Sequence, residues 1–182
     1  SSARYGILYA ANQLVRAMPK PSKAHMGAAK LVLRYLAGSV NVPITYKRGG
    51  FKLTTYNDAN WGENHDNGKS TSSYIVMLAH RPISFKVGLQ SLTAQSTIKA
   101  ELVVAAVTVT KESLFCRNMM MELGFTEGFR SSPVYTDNIS GLHVAGNRAF
   151  SPRAKHIAPR YIFFVHELGK KGKVTIHLVK TE

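Results

Sequence analysis

Residues 51–61 read FKLTTYNDANW, and this stretch decides the fold, because its pattern predicts a strand that ends at Asp58. The preceding residues 44–48, ITYKR, predict a second strand. Gly49 and Gly50 separate the two runs and suit a tight turn, so the pair is predicted to form a β-hairpin. The fold is therefore expected to contain a sheet with an acidic side chain at the end of one strand.

Helix and strand patterns continue on both sides of this hairpin and indicate a mixed α/β fold. Upstream, apolar residues at helical spacing predict two helices, and Ser22 is a suitable N-cap for the second. Downstream, strands and helices alternate. The predicted elements are helices over 3–18 and 23–37, strands over 44–48, 51–58, 73–79 and 82–88, a helix over 97–123, a strand over 133–137, helices over 138–146 and 158–169, and a strand over 173–179.

The chain of 182 residues is strongly basic: 24 Lys+Arg and 10 Asp+Glu give a net charge of +14. Hydrophobic residues make up 45% of it, which is enough for a packed core and argues against a disordered basic tail. A compact domain with this charge is expected to bind a polyanion, nucleic acid above all; a basic surface that serves solubility is the alternative. The single cysteine, Cys116, excludes an intrachain disulfide and a cysteine-based zinc site.

Three of the acidic residues stand where elements of the predicted fold can converge: Asp58 and Asp137 at strand ends, and Glu101 in the first turns of the long helix. Carboxylates that lie close together repel unless hard cations neutralise them, and Mg²⁺ and Mn²⁺ favour such oxygen ligands. Two such ions about 4 Å apart activate water and stabilise the leaving oxygen in phosphodiester cleavage. Structural alternatives remain: Asp58 capping a turn, Asp137 capping the next helix, and Glu101 favoured by its helix dipole.

Several ordered blocks of the sequence resemble the ribonuclease H domain of copia-type LTR retrotransposon polyproteins. The resemblance covers nearly the whole chain, because residues 3–37 are similar to the segment that links reverse transcriptase to ribonuclease H. The matching blocks are YNDANW at 56–61, GKSTSSY at 68–74 followed by PISF at 82–85, QSTIKAE at 95–101, VYTDN at 134–138, and KHI at 155–157 with Arg160 and Tyr161.

The resemblance implies an α/β, ribonuclease H-like fold, in which helices flank a five-stranded mixed sheet. Residues 1–40 would form a helical connector after reverse transcriptase, and residues 41–182 the ribonuclease H-like domain without its last helix. The implied activity is hydrolysis of the RNA strand of RNA·DNA hybrids with two divalent ions, Mg²⁺ or Mn²⁺. Asp58 matches the acid that bridges both ions, Glu101 the acid that holds one, and Asp137 the acid that holds the other.

The resemblance also implies partners and a location. The partners are an RNA·DNA hybrid and the reverse transcriptase domain of the same polyprotein, with no membrane involved. The expected location is the cytoplasmic virus-like particle of a retroelement, or the nucleus.

A second set of residues is expected to contact nucleic acid. Lys, Ser and Thr side chains after Gly68 are common phosphate partners, with an ordinary turn as the alternative. The basic residues around His156 are expected on a substrate-facing loop and helix, with a solvated helix start as the alternative. Gly62 is one residue too far upstream for a P-loop, so an NTPase is rejected. The expected nucleic-acid-binding residues are Lys69, Ser70, Thr71, Asn138, Arg153, Lys155, His156 and Arg160.

The chain departs from the family pattern at several positions. Asn60 stands where the family has a second aspartate, Lys99 where it has an acid, and Ala158 where it has an aspartate. No acid matches the family's fourth catalytic aspartate, so we expect weak or absent cleavage by these residues alone. A non-catalytic nucleic-acid-binding module is the alternative function. A DDE-type transposase or integrase is a third, disfavoured by the hairpin motif at 68–74 and the connector-like helices over 3–37.

Overall fold

The computed structural model describes residues 4–46, 50–60, 71–89, 98–137 and 168–179. Most of the predicted helices and strands in these ranges are present within one or two residues of their expected ends. The elements are a 3₁₀ turn at Tyr5–Ile7, α1 at Leu8–Ala17, α2 at Lys23–Gly38, β1 at Leu53–Asn60, β2 at Thr71–Leu78, β3 at Arg81–Leu89, α3 at Ile98–Glu122, β4 at Ser132–Thr136 and β5 at Val174–Leu178.

The five strands form one mixed sheet in the order β3-β2-β1-β4-β5. β1 pairs antiparallel with β2, and β2 antiparallel with β3, whereas β4 runs parallel to β1 and β5 parallel to β4. β1 is therefore the central strand, with β2 and β4 on its two edges. This is the α/β, ribonuclease H-like architecture that the sequence predicts, a five-stranded mixed sheet with flanking helices, and the prediction is confirmed.

A tight turn joins β2 to β3, the strands that the sequence predicts over 73–79 and 82–88. Ala79 and His80 both have positive φ, +49° and +61°. Two consecutive residues with positive φ are typical of a type I′ turn, whose twist matches that of the flanking strands. The resulting pairing places Ser73 of β2 between Val87 of β3 and Asp58 of β1.

The predicted strand over 44–48 is wrong for the residues of it that are described, because residues 42–46 have no regular secondary structure. Both edges of β1 are paired with β2 and β4, so β1 offers no edge to the upstream segment. The segment lies beside the start of β3 instead, where the Tyr46 hydroxyl donates to the Pro82 carbonyl oxygen at 2.6 Å.

α3 packs across one face of the sheet and runs antiparallel to β1. At the start of β1, Leu53 shares a buried cluster with Cys116 from the second half of α3. Further along β1, Thr55 Oγ1 donates to Ser113 Oγ at 3.0 Å, and both side chains are fully buried. These contacts move toward the N-terminus of α3 as β1 proceeds, so the first half of α3 extends toward the end of β1 that carries Asp58.

The turn after α3 depends on two glycines with positive φ. Gly124 has a φ of +89°, and a Cβ there would lie in open space. Gly128 has a φ of +83°, and a Cβ there would overlap the carbonyl oxygen of Phe51. Phe51 also stacks on Phe125 with ring centroids 5.0 Å apart, so this turn closes over the entry to β1.

Two helices precede the sheet, as predicted, and α1 contacts both α2 and β3. α2 begins with a capping box, in which Ser22 Oγ accepts from the His25 N–H at 3.3 Å and His25 Nδ1 accepts from the Ser22 N–H at 3.1 Å. Tyr5 meets Phe85 of β3 edge-to-face, with ring centroids 6.0 Å apart. The helices therefore attach to the β3 side of the sheet, while the domain boundary after residue 40 stays a prediction.

Other predicted elements lie outside the described residues. These are the helix over 138–146 and most of the helix over 158–169, although residues 168–170 are helical. None of the helices in the described parts of the chain combines the length and the hydropathy that a membrane span needs.

Candidate active site

Asp58 of β1 and Asp137, which follows β4, occupy adjacent positions at the carboxyl end of these two strands. Asn57 of β1 pairs with Thr136 of β4, and each aspartate is the next residue along its chain. Because β1 and β4 are parallel, both aspartates lie at the same end of the sheet. Neighbouring strands in a sheet lie about 4.8 Å apart. Both residues are exposed to solvent. The fold thus places two aspartates at neighbouring, solvent-exposed positions that line one groove.

A groove of about 360 Å³ begins at this pair of aspartates and runs along the sheet. Its walls are mainly apolar and aromatic, and they come from the sheet, the 3₁₀ turn and α1. Ser73 of β2 also lines the groove, and its Oγ donates to the Asp58 backbone carbonyl oxygen at 3.4 Å. The largest wall residues are Tyr5, Leu8, Tyr56, Phe85 and Tyr135.

Glu101 lies in the first turn of α3, and only its backbone is described. It precedes Ser113 by twelve residues, which is about 18 Å along a helix axis. Asp58 lies about 10 Å beyond Thr55 along β1. Since α3 runs antiparallel to β1, the part of α3 between Glu101 and Ser113 is long enough to reach the level of the two aspartates. Among the side chains that are described, no group of three acids, histidines or cysteines could hold a metal ion.

The residues predicted to contact nucleic acid fall almost entirely outside the described ranges. Thr71 is the exception: it begins β2, where its backbone pairs with Asn60 of β1 and Leu89 of β3. The remaining residues stay predictions, and they are Lys69, Ser70, Asn138, Arg153, Lys155, His156 and Arg160.

A row of stacked rings beside the aspartates was missed by sequence reasoning. Tyr56 stacks on Tyr135 with ring centroids 5.2 Å apart, and Tyr135 stacks on His177 at 5.0 Å. Each tyrosine precedes an aspartate by two residues, so the pattern Tyr-x-Asp occurs in both β1 and β4. Residues two apart in a strand share a face. The repeated pattern was therefore the available signal that the two strands lie side by side with an aromatic row next to an acidic one.

On the α3 side of the sheet, burial shifts two titratable groups. Burial, with a smaller contribution from the Glu112 carboxylate, raises the pKa of the Cys116 thiol to about 11. Burial also raises the pKa of the Tyr74 hydroxyl. Ser84 Oγ donates to Glu112 Oε1 at 2.6 Å on the same side. Cys116 is therefore a buried core residue whose thiol is protonated at neutral pH.

No family model matches the chain. The chain is 35% identical over 176 residues to the retrovirus-related Pol polyprotein from transposon RE1 of Arabidopsis thaliana, an alignment that covers 96% of this chain and 12% of the relative. It is 34% identical over 178 residues to the Pol polyprotein from transposon RE2 of the same plant, again covering 96% and 12%.

Among solved structures, LC11-RNase H1 in complex with an RNA/DNA hybrid is similar at a TM-score of 0.44 and 11% identity, over 71% of this chain and 86% of that one. The described sheet defines an α/β domain of the ribonuclease H-like class. The homologues of the chain are therefore retrovirus-related Pol polyproteins from copia-type transposons, and the chain spans about 12% of the length of the two relatives.

Proposed function

We propose that this chain is the ribonuclease H domain of its parent polyprotein and that it hydrolyses the RNA strand of RNA·DNA hybrids. One observation carries the proposal: a chain whose homologues are Pol polyproteins places Asp58 and Asp137 at adjacent, exposed positions on two parallel strands. Two carboxylates so close together favour a divalent cation between them, because the cation offsets their repulsion. The hard oxygen ligands suit Mg²⁺ or Mn²⁺.

In this proposal the residues of the chain hold the reacting groups in place. Asp58 and Asp137 bind the ions from the sheet edge, and Glu101 joins them from the start of α3. Two bound divalent ions would supply an activated water and charge stabilisation of the leaving oxygen. The rigid central strand β1 fixes Asp58, since both of its edges are paired and Thr55 is anchored to α3.

The proposed substrate and partners follow from charge and family. A net charge of +14 attracts phosphates, and the 2′-hydroxyls of the RNA strand distinguish a hybrid from DNA. The eight residues predicted to contact nucleic acid form the remainder of the proposed substrate surface. The reverse transcriptase domain of the same polyprotein is the proposed protein partner, and the virus-like particle or the nucleus the proposed location.

A second candidate function is a non-catalytic module that binds nucleic acid without cleaving it. The observation in its favour is the departure from the family pattern at Asn60, Lys99 and Ala158. The two functions differ in what they need: cleavage requires divalent ions, whereas phosphate binding responds to monovalent salt alone.

The proposal is tested with the parent polyprotein, wild type and variants, by cleavage of a labelled RNA·DNA hybrid with Mn²⁺, because the residues of this chain alone are expected to cleave weakly or not at all. Asp58→Asn and Asp137→Asn are each expected to lower the cleavage rate at least about 100-fold, since even groups that only support a metal ligand cost up to that much. Glu122→Gln is the matched control, because it also removes one exposed carboxylate but lies at the far end of α3. Cleavage that survives both aspartate substitutions would contradict the proposal, and hybrid binding without any cleavage by the wild type would favour the second function.

A further inference from the structure

The positive charge of the chain is concentrated in its first third. The first 57 residues contain nine lysines and arginines and no aspartate or glutamate, so they account for nine of the fourteen net charges. Six of the nine lie in the described segment 4–46, which forms α1 and α2 and the residues around them. A helical pair without a single acidic residue has no carboxylates of its own to neutralise these cations.

α2 separates its cationic and packing residues onto opposite faces. Ala29, Val32 and Leu36 are the partly buried positions of the helix, and they mark the side that packs inward. At about 100° per residue, Lys30 and Arg34 project on the opposite side, and both are exposed. Lys23 lies on the same side as Lys30, two turns earlier. We call these three cations, Lys23, Lys30 and Arg34, the α2 basic face.

A glycine stands in the middle of the α2 basic face. Gly27 is exposed, and a Cβ at this position would have nothing within 4 Å. The helix backbone can therefore approach a ligand closely between Lys23 and Lys30. The ends of the face, Lys23 and Arg34, are about 16 Å apart along the helix axis. Duplex nucleic acid presents about one phosphate charge per 1.7 Å of its axis, so a line of cations of this length can meet several phosphates.

We infer that the α2 basic face binds the phosphate backbone of a nucleic-acid duplex. Charge complementarity selects this partner: three exposed cations in one line, with no acid on either helix, attract a regular polyanion. The position fits a substrate that also reaches the aspartates, because α1, which contacts α2, contributes Leu8 to the groove that contains Asp58. The inference goes beyond the proposed cleavage and does not depend on it.

Exposed apolar residues on both sides of the α2 basic face suit two other partners, an apolar protein surface and an anionic membrane. Met26 and Leu33 are exposed on one side of the basic face, and Leu31 and Tyr35 on the other. An apolar protein surface would use these flanks rather than the cations. An anionic membrane would use both. The experiment therefore measures the cations and the flanks separately.

The test is the salt dependence of binding, measured with the full chain by fluorescence anisotropy of a short labelled RNA·DNA hybrid in EDTA. The variant K23Q/K30Q/R34Q is compared with K170Q/K171Q/K173Q, which removes the same charge from exposed positions near the start of β5. Three lost phosphate contacts are expected to make the negative slope of log K against log salt shallower by about 2.7. The control is expected to change the slope by less than about 1.

A second variant separates binding from folding. Gly27→Glu places a carboxylate among the three cations in open space, and glutamate is a better helix former than glycine. It is expected to raise the thermal stability while weakening hybrid binding at low salt by about tenfold. Thermal stability and hybrid binding are measured on the same variant, so a loss of binding that results from unfolding is recognised by a loss of stability.

Three results would overturn the inference. The first is an equal change of slope in the two triple variants, which would show a general effect of net charge. The second is weaker binding of the hybrid by M26Q/L33Q together with unchanged binding of the hybrid by K23Q/K30Q/R34Q. The third is unchanged hybrid binding by K23Q/K30Q/R34Q together with lost binding to vesicles that contain phosphatidylserine. Failure of cleavage leaves the expected slopes unchanged, so the two proposals fail separately.

Discussion

A buried hydrogen bond between Thr55 and Ser113 links the two elements that carry the proposed acids. It joins β1, which carries Asp58, to α3, which carries Glu101, at 3.0 Å and with both side chains fully buried. Ser113→Ala leaves the buried Thr55 hydroxyl without this acceptor, which costs about 1–3 kcal/mol. In a domain of this size, a loss of about 2 kcal/mol lowers Tm by about 4–8 °C. Thr55→Val is expected to cost a similar amount, because it removes the donor from the buried Ser113 hydroxyl.

The double variant T55V/S113A is the decisive member of this series. Replacing both partners by apolar groups of similar shape removes the unpaired hydroxyl, so its destabilisation is expected to be smaller than the sum of the two single losses by at least about 1 kcal/mol. Urea and thermal unfolding of the four proteins measure the coupling. Ser131→Ala, which removes a partly exposed hydroxyl, is the control and is expected to stay within about 0.5 kcal/mol. Strictly additive losses would refute the reasoning that this bond couples β1 to α3.

Three further predictions concern stability and reactivity. Gly128→Ala is expected to cost more than about 2 kcal/mol, because positive φ and overlap with a backbone carbonyl combine, whereas Gly124→Ala has positive φ in open space and is expected to cost about 1–2 kcal/mol. Equal losses in urea unfolding would contradict this. Cys116 has a pKa raised from 9.0 to about 11, so its stabilising contribution is complete below pH 9 and is lost as the pH rises toward 11. A thiol reagent at neutral pH is therefore expected to label it only on unfolding, and rapid native labelling would show the thiol to be accessible. Tyr135→Ala removes two ring stacks and is expected to lower the free energy of unfolding by about 1–3 kcal/mol, whereas His177→Ala removes one and is expected to lower it by about 0.5–1.5 kcal/mol. A larger loss for His177→Ala than for Tyr135→Ala in thermal unfolding would count against the stacked row.

The sequence predicts the fold well where local patterns decide the structure. The β2–β3 hairpin and α3 are present where the alternation and the helical spacing place them. The strand over 44–48 failed because a glycine turn signals a hairpin only when the adjoining strand has a free edge. The edge of β1 is occupied by β4, which lies more than seventy residues further along, and no local pattern reports that pairing.

The candidate site shows the same division between local and long-range information. The sequence picks out Asp58 and Asp137 as strand ends, but only the parallel pairing of β1 with β4 makes them neighbours. Three consecutive methionines stand near the end of α3. Met120 is buried, whereas Met119 and Met121 are about 40% exposed, because consecutive helical residues are turned by about 100° and three in a row cannot share one face.

A Mn²⁺ titration tests the central claim, that Asp58 and Asp137 together hold a divalent ion, most directly. Electron paramagnetic resonance of free Mn²⁺ gives the affinity of the wild type, of Asp58→Asn, of Asp137→Asn and of Glu122→Gln without any substrate. Each aspartate substitution is expected to weaken binding by at least about tenfold, and Glu122→Gln to leave it unchanged. The same Mn²⁺ affinity in all four proteins would contradict the account.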